Sequence, residues 1–205
     1  MFKNKLSKYK FLLVLFLPII LAACDNSTGN ISPQPVNSSV FPNTVGDKWV
    51  YSVYDSLTNS TDTLTVEIVG TNSGSTNATI WYFSSRIYND SMIVKVNKDT
   101  VYFYEANNPT LIDHKIVFPL QVNKYWYSNM VGFDSTIVRS KESVTVPADT
   151  YPDAYRLERK WGGLNVYGSS TTWFVNNVGI IKFYRKITGD YFITETWVLL
   201  SYTSK

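Results

Sequence analysis

In 205 residues there is one cysteine, Cys24, and one histidine, His114. A lone cysteine has no disulfide partner and no second thiolate for a metal. A lone histidine excludes His-Glu-x-x-His, and zinc would have to rest on His114 and carboxylates alone, an uncommon donor set. Gly-x-Ser-x-Gly, the P-loop and Gly-x-Gly-x-x-Gly are all missing, and no loop has the oxygen spacing of an EF-hand. No metal and no cofactor is therefore expected. Positive charge is scarce as well. Four of the nineteen Lys and Arg fall in the first ten residues, and the others leave a net charge of −1 against sixteen Asp and Glu. With no basic cluster to displace counterions, nucleic acid is not an expected partner. Nor is there an apolar run of the 18 to 20 residues a membrane-spanning helix needs; the longest covers 11–23.

That short run follows Lys3, Lys5, Lys8 and Lys10 with no acid between, which is the export pattern of a basic segment before an apolar one. It ends in Leu21-Ala22-Ala23-Cys24, which resembles the lipobox of bacterial lipoprotein precursors. The resemblance implies cleavage before Cys24, a diacylglycerol thioether on its sulfur and an acyl chain such as palmitate on its new amino group. Two or more chains are what stable anchoring requires. Residues 1–23 are thus expected to be a signal peptide. Residues 24–40 are expected to be a lipidated, disordered tether, because they are small, polar and hold Pro33 and Pro35. About sixteen flexible residues reach roughly 20 to 25 Å. The expected location is the cell envelope. Asp25 resembles the inner-membrane retention signal of enteric bacteria, but that rule differs among lineages, so the choice of membrane and leaflet stays open.

Residues 41–205 fit a single domain. Alternation with period 2 recurs through them: in Thr63-Leu64-Thr65-Val66-Glu67-Ile68 the apolar residues share one face. Comparable segments are 49–54, 78–87, 92–96, 101–105, 115–118, 126–128, 135–139, 143–146, 154–160, 171–175, 179–186 and 191–202, and none carries a long helical stripe. Short turns separate them, among them Asn72-Ser73-Gly74, Asn97-Lys98-Asp99, Gly162-Gly163 and Asn176-Asn177. Connections this short join antiparallel neighbours, whereas parallel pairing needs long crossovers. The expected fold is all-β: an antiparallel meander forming a strongly curved sheet or half-barrel, since a flat sheet of so many strands would expose apolar faces and edges.

An internal echo is the most specific feature of this part. Phe41, Pro42, Val45 and Trp49 recur at the same offsets as Phe118, Pro119, Val122 and Trp126. Each proline restricts the residue before it to extended backbone, and each tryptophan is expected to start a strand with its indole inward. The echo points to two related halves, about 41–117 and 118–205.

Three segments carry a wider resemblance: Val45-Gly46-Asp47-Lys48-Trp49, Val144-Thr145-Val146-Pro147-Ala148-Asp149-Thr150-Tyr151, and Trp173-Phe174-Val175-Asn176-Asn177-Val178-Gly179-Ile180-Ile181-Lys182. They are similar to the recurring segments of uncharacterised bacterial envelope lipoproteins. Asp149 and Tyr151 stand where that group usually has Gly and Phe. The shape the resemblance implies is an antiparallel half-barrel, distantly like the Lol-type lipoprotein carriers; it implies no activity.

Candidate chemistry is sparse. Adjacent strand residues point to opposite faces, so Asp113 is not expected to orient His114. The carboxylates Glu67, Glu105, Glu142, Glu158 and Glu195 are all candidates in principle for carboxylate catalysis, and Glu195, which shares a strand face with Ile193 and Trp197, would carry a raised pKa if that face were buried. It is expected at an edge or rim. Aromatics offer the better binding surface: Trp161 and Tyr167 flank a glycine-rich loop, and Tyr102 and Tyr104 share a strand face that extends such a patch. The expected function is that of a non-catalytic, membrane-tethered lipoprotein that binds an apolar or amphipathic ligand or a cell-envelope partner. The alternative is a surface protein that binds or hydrolyses carbohydrate.

Overall fold

The computed structural model describes residues 35–37, 39–74, 77–86, 88–128, 133–163, 165–189 and 192–205. The expected signal, Cys24 and most of the tether lie outside the described residues. Every described residue belongs to one compact unit, Ser32–Lys205. Twelve antiparallel strands form one sheet: β1 Lys48–Asp55, β2 Ser60–Thr71, β3 Ala78–Ser84, β4 Asn89–Asn97, β5 Thr100–Glu105, β6 Asn108–Val117, β7 Tyr125–Tyr127, β8 Phe133–Val146, β9 Asp149–Gly163, β10 Val166–Val175, β11 Gly179–Thr188 and β12 Phe192–Thr203. Their order is β6-β5-β4-β3-β2-β1-β12-β11-β10-β9-β8-β7. The sheet curls into a nearly closed barrel, and no helix occurs among the described residues.

The sheet curls because inward-facing apolar residues recur along its strands and have one interior to share. Trp49, Tyr51 and Val53 of β1 are buried, as are Leu64, Val66 and Ile68 of β2. The outermost strands, β6 and β7, are not neighbours in the hydrogen-bonded order. Side chains cross that seam instead: the Trp126 indole donates to the Lys115 carbonyl (3.0 Å) and the Arg159 guanidinium to the Asp113 carbonyl (2.6 Å).

Two local expectations change. Segments 135–139 and 143–146 join in one strand, β8, because register shifts near Val138/Ser140 and Glu142/Val144 absorb the break in alternation. Gly162 and Gly163 do not turn the chain. They end β9, and Asn165, at φ 73°, takes the left-handed conformation in the tight connection to β10.

The echoed segments share one turn, although the Phe118-Pro119 peptide is cis and that of Phe41-Pro42 is not. Gly46 and Asn123, at the same offset, both have positive φ (96° and 71°). Asp47 N–H donates to Thr44 O (2.9 Å), and Lys124 N–H to Gln121 O (3.0 Å). Gly46 N–H reaches Ile68 O, and Asn123 N–H reaches Val138 O, both at 2.8 Å. In each copy the valine is exposed and the tryptophan buried. Strands β1–β6 form one meander and β7–β12 the other, joined through β1 and β12.

The two ends of the barrel differ. At the end where β1 begins and β12 finishes, Phe41 enters the interior and stacks on Trp81 (5.7 Å) and Phe174 (6.1 Å), with its ring also against Phe103 and Phe118. Trp49 stacks on Trp81 (4.9 Å) and donates to the Val178 carbonyl (2.6 Å). All three resemblance segments lie here. Gly179, at φ 89°, lets the chain turn beside Pro42 and Trp49, and Ala148 N–H bonds to the Leu199 carbonyl (3.1 Å). The other end of the interior is polar.

Candidate functional site

On five successive strands the polar end presents one row of register partners: Thr136 opposite Arg159, Arg159 opposite Ser170, Ser170 opposite Arg185, and Arg185 opposite Glu195. Each side chain is in phase with apolar neighbours, such as Leu157 and Trp161 around Arg159, or Phe183 and Ile187 around Arg185. Each therefore faces the interior.

Buried charges persist only when paired, and each charge here has its partner. Arg159 forks onto Asp134, one row away on the same face, with Nε to Oδ1 at 3.0 Å and Nη2 to Oδ2 at 2.9 Å. Glu195 is 1% exposed. It accepts from the Trp197 indole (2.7 Å) and the Tyr88 hydroxyl, and its Oε2 lies 2.6 Å from Arg185 Nη2. The expected rim position of Glu195 is thereby corrected: β12 carries the carboxylate inward, where a cation and two donors meet it. Burial, reinforced by the hydrogen bond to Glu195, raises the Tyr88 pKa and keeps the hydroxyl a donor.

The expectation for Asp113 and His114 is corrected too. Phe103 pairs with His114, but Tyr104 pairs with Ile112, so Asp113 is an extra residue in β6. The bulge breaks the alternation, and both side chains line the interior, with His114 Nδ1 2.5 Å from Asp113 Oδ2. The imidazole lies flat on Phe103, with centroids 4.1 Å apart. Burial alone would raise the Asp113 pKa; the His114 hydrogen bond and charge, with Arg159 and Arg185, outweigh it and bring it down to about 2.

These groups border a cavity of about 280 Å³. Its lower wall is aromatic and closed, with Trp49, Phe41 and Phe103 at 1, 2 and 4% exposure. Its upper wall holds Asp113, His114, Arg159, Arg185 and Trp161. The Asp113 and Arg185 side chains are 36 and 37% exposed, so the cavity opens at the charged end. A second, shallower hollow of about 670 Å³ lies at the other end beneath the 35–44 segment. It is edged by Asn37, Asn43, Asn72 and Asn77, and Lys98 is the charged side chain among the described residues that line it.

The four aromatics singled out from the sequence do not converge. Trp161 faces the cavity, with the Arg159 guanidinium 4.7 Å from its ring centroid and Gly168 packed so close that a Cβ would fall 2.1 Å from the indole. Tyr167 is on the outer face beside Phe133 and is 55% exposed. Tyr102 and Tyr104 pair on the outer face of β5, since Val101 and Phe103 take the inner one. The inward Arg159, Arg185 and Ser170 were missed, although charge in phase with an apolar alternation is legible in the sequence. Among the described residues no three or more His, Cys, Asp and Glu are grouped to hold a metal, and no helix is long and apolar enough to cross a membrane.

Neither the protein-family models nor the curated proteins give a match. Solved structures similar to the chain include a lipoprotein candidate from Parabacteroides distasonis, 13% identical over 82% of this chain and 100% of that one, with a TM-score of 0.44. Another is a candidate exported protein from Bacteroides fragilis described as having a YmcC-like fold, 10% identical over 80% and 99%, with a TM-score of 0.49. A likeness to the Lol-type carriers is not shown. At these scores the reading of the present chain rests on its own residues.

Proposed function

We propose that the chain is a lipid-anchored protein of the bacterial cell envelope whose barrel takes up a small amphipathic molecule. The anchor rests on Leu21-Ala22-Ala23-Cys24. The observation that carries the binding half is the cavity: closed and aromatic below, open and charged above, and close to the lower size of small-molecule sites, about 300 Å³. A ligand with an apolar end and a polar end matches both walls. The reading is one of binding rather than catalysis. Asp113 is held ionised and hydrogen-bonded to His114, and Asp134 and Glu195 are each engaged by an arginine.

Two measurements test it. A neutral apolar fluorophore such as N-phenyl-1-naphthylamine is expected to brighten on binding, and Ser170→Phe, which fills the cavity wall, is expected to abolish the signal while the domain stays folded. Equal brightening in both proteins would remove the barrel as the binding place. For the anchor, Cys24→Ser is expected to move the protein from the membrane fraction to the soluble one; retention on membranes after a high-salt wash would refute lipidation.

A further inference from the structure

The cavity wall is not electrically neutral in the order an entering molecule meets it. Acids of this end, among them Asp55, Asp134 and Glu195, are no part of the wall. Asp134 and Glu195 sit behind the arginines, with side chains 0 and 1% exposed against 13% for Arg159 and 37% for Arg185. Asp55 is turned to the Leu57 backbone N–H (2.6 Å). Asp113 does line the wall, and its carboxylate is already bonded to His114. Arg185 differs from all of these. Its Nη2 is the nitrogen on Glu195, and its Nε is buried with no hydrogen-bond partner. Among the described residues no hydrogen bond from its Nη1 occurs. The mouth therefore presents a guanidinium with donors to spare, held from behind by a buried carboxylate, beside an Asp113 carboxylate of similar exposure that is already bonded to His114.

Resting on the reading of the barrel as an amphiphile site, we infer that the ligand carries an oxyanion head, carboxylate or phosphate, bound by Arg185 at the mouth, with its apolar tail against Trp49, Trp81 and Phe103. A guanidinium matches either oxyanion through charge-assisted hydrogen bonds and does nothing comparable for a neutral or cationic head.

The purified full chain would be titrated with octanoate, octyl phosphate, octanol and octylammonium and followed by tryptophan fluorescence, because Trp49, Trp81, Trp161 and Trp197 line the cavity. At least one of the two anions is expected to bind about tenfold or more tightly than octanol and octylammonium, the size of one added charged hydrogen bond. Whichever anion binds more tightly names the head. Arg185→Gln is expected to erase that advantage while octanol binding stays. Since this change leaves Glu195 buried without its counter-charge, the double variant Arg185→Gln, Glu195→Gln is the second arm, and the same loss is expected there. Octanol binding as tightly as both anions, or an advantage that survives in the double variant, overturns the head-group inference and leaves the amphiphile reading standing. Silence for all four ligands overturns both.

Discussion

The two ends of this barrel are built from the same alternating strands, yet the interior of one is stacked with aromatic rings and that of the other is a charged cavity. At the end that receives the 35–44 segment, Phe41, Trp49, Trp81 and Phe174 stack across the interior, and the hollow there is the shallow one outside that aromatic stack, beneath the segment itself. At the other end the inward positions carry Arg159, Ser170, Arg185 and Glu195, whose partners fix them but do not fill the volume between them. Close packing is what stabilises a domain, whereas a binding site needs space and fixed polar groups. On the proposed function, stability resides mainly at one end and recognition at the other.

The largest blow to that division would come from the aromatic end. Trp49→Ala is expected to destabilise the domain by about 3–5 kcal/mol, read as a lower denaturation midpoint; a shift no larger than that of an exposed substitution would break the comparison. At the charged end the damage depends on what is left behind. Arg159→Gln strands Asp134, which is 3% exposed, and is expected to cost about 3–5 kcal/mol, while replacing both by apolar residues of similar volume should cost far less. If single and double variants lose the same stability, the pair is not what holds this wall.

A smaller effect follows from Asp113. Its pKa in the folded protein is brought below the ordinary carboxylate range, to about 2. The native state thus favours the ionised form, and the resulting stability is fully present above about pH 4 and is lost as pH falls toward 2. Asp113→Asn should flatten the stability profile in that window only; an unchanged acid limb would show that the His114 contact does not favour the carboxylate. Smallest of all, Tyr167→Ala on the outer face is expected to change stability by no more than about 0.5 kcal/mol and ligand affinity not at all. A loss of binding in that variant would move recognition out of the barrel.

Much of the architecture was legible because alternation is a property of consecutive residues. Leu64, Val66 and Ile68 could point only one way, and the shared offsets of Phe41 to Trp49 and Phe118 to Trp126 mark the same tight turn twice. The segments that resemble envelope lipoproteins all fall at the aromatic end, so they describe packing and are silent about the site. The site itself was hidden for two physical reasons. Asp113 reaches the interior through a β6 bulge that no local pattern announces. Arg159, Arg185 and Glu195 lie far apart in the chain, and only the register of β9–β12 brings them into one row. Glu195 was noticed because it is in phase with Trp197, yet rim exposure was the expectation for a lone carboxylate. Its partner, Arg185, was in phase with Phe183 and Ile187 and carried the same signal.

Native mass spectrometry of the chain isolated from its native cells, without a denaturing step, reads the proposed anchor and the proposed ligand together. Cys24 is expected to be the first residue and to bear diacylglycerol, and a small molecule is expected to be retained one to one and lost from the cavity-filling variant Ser170→Phe. A protein of bare mass in both forms would contradict both.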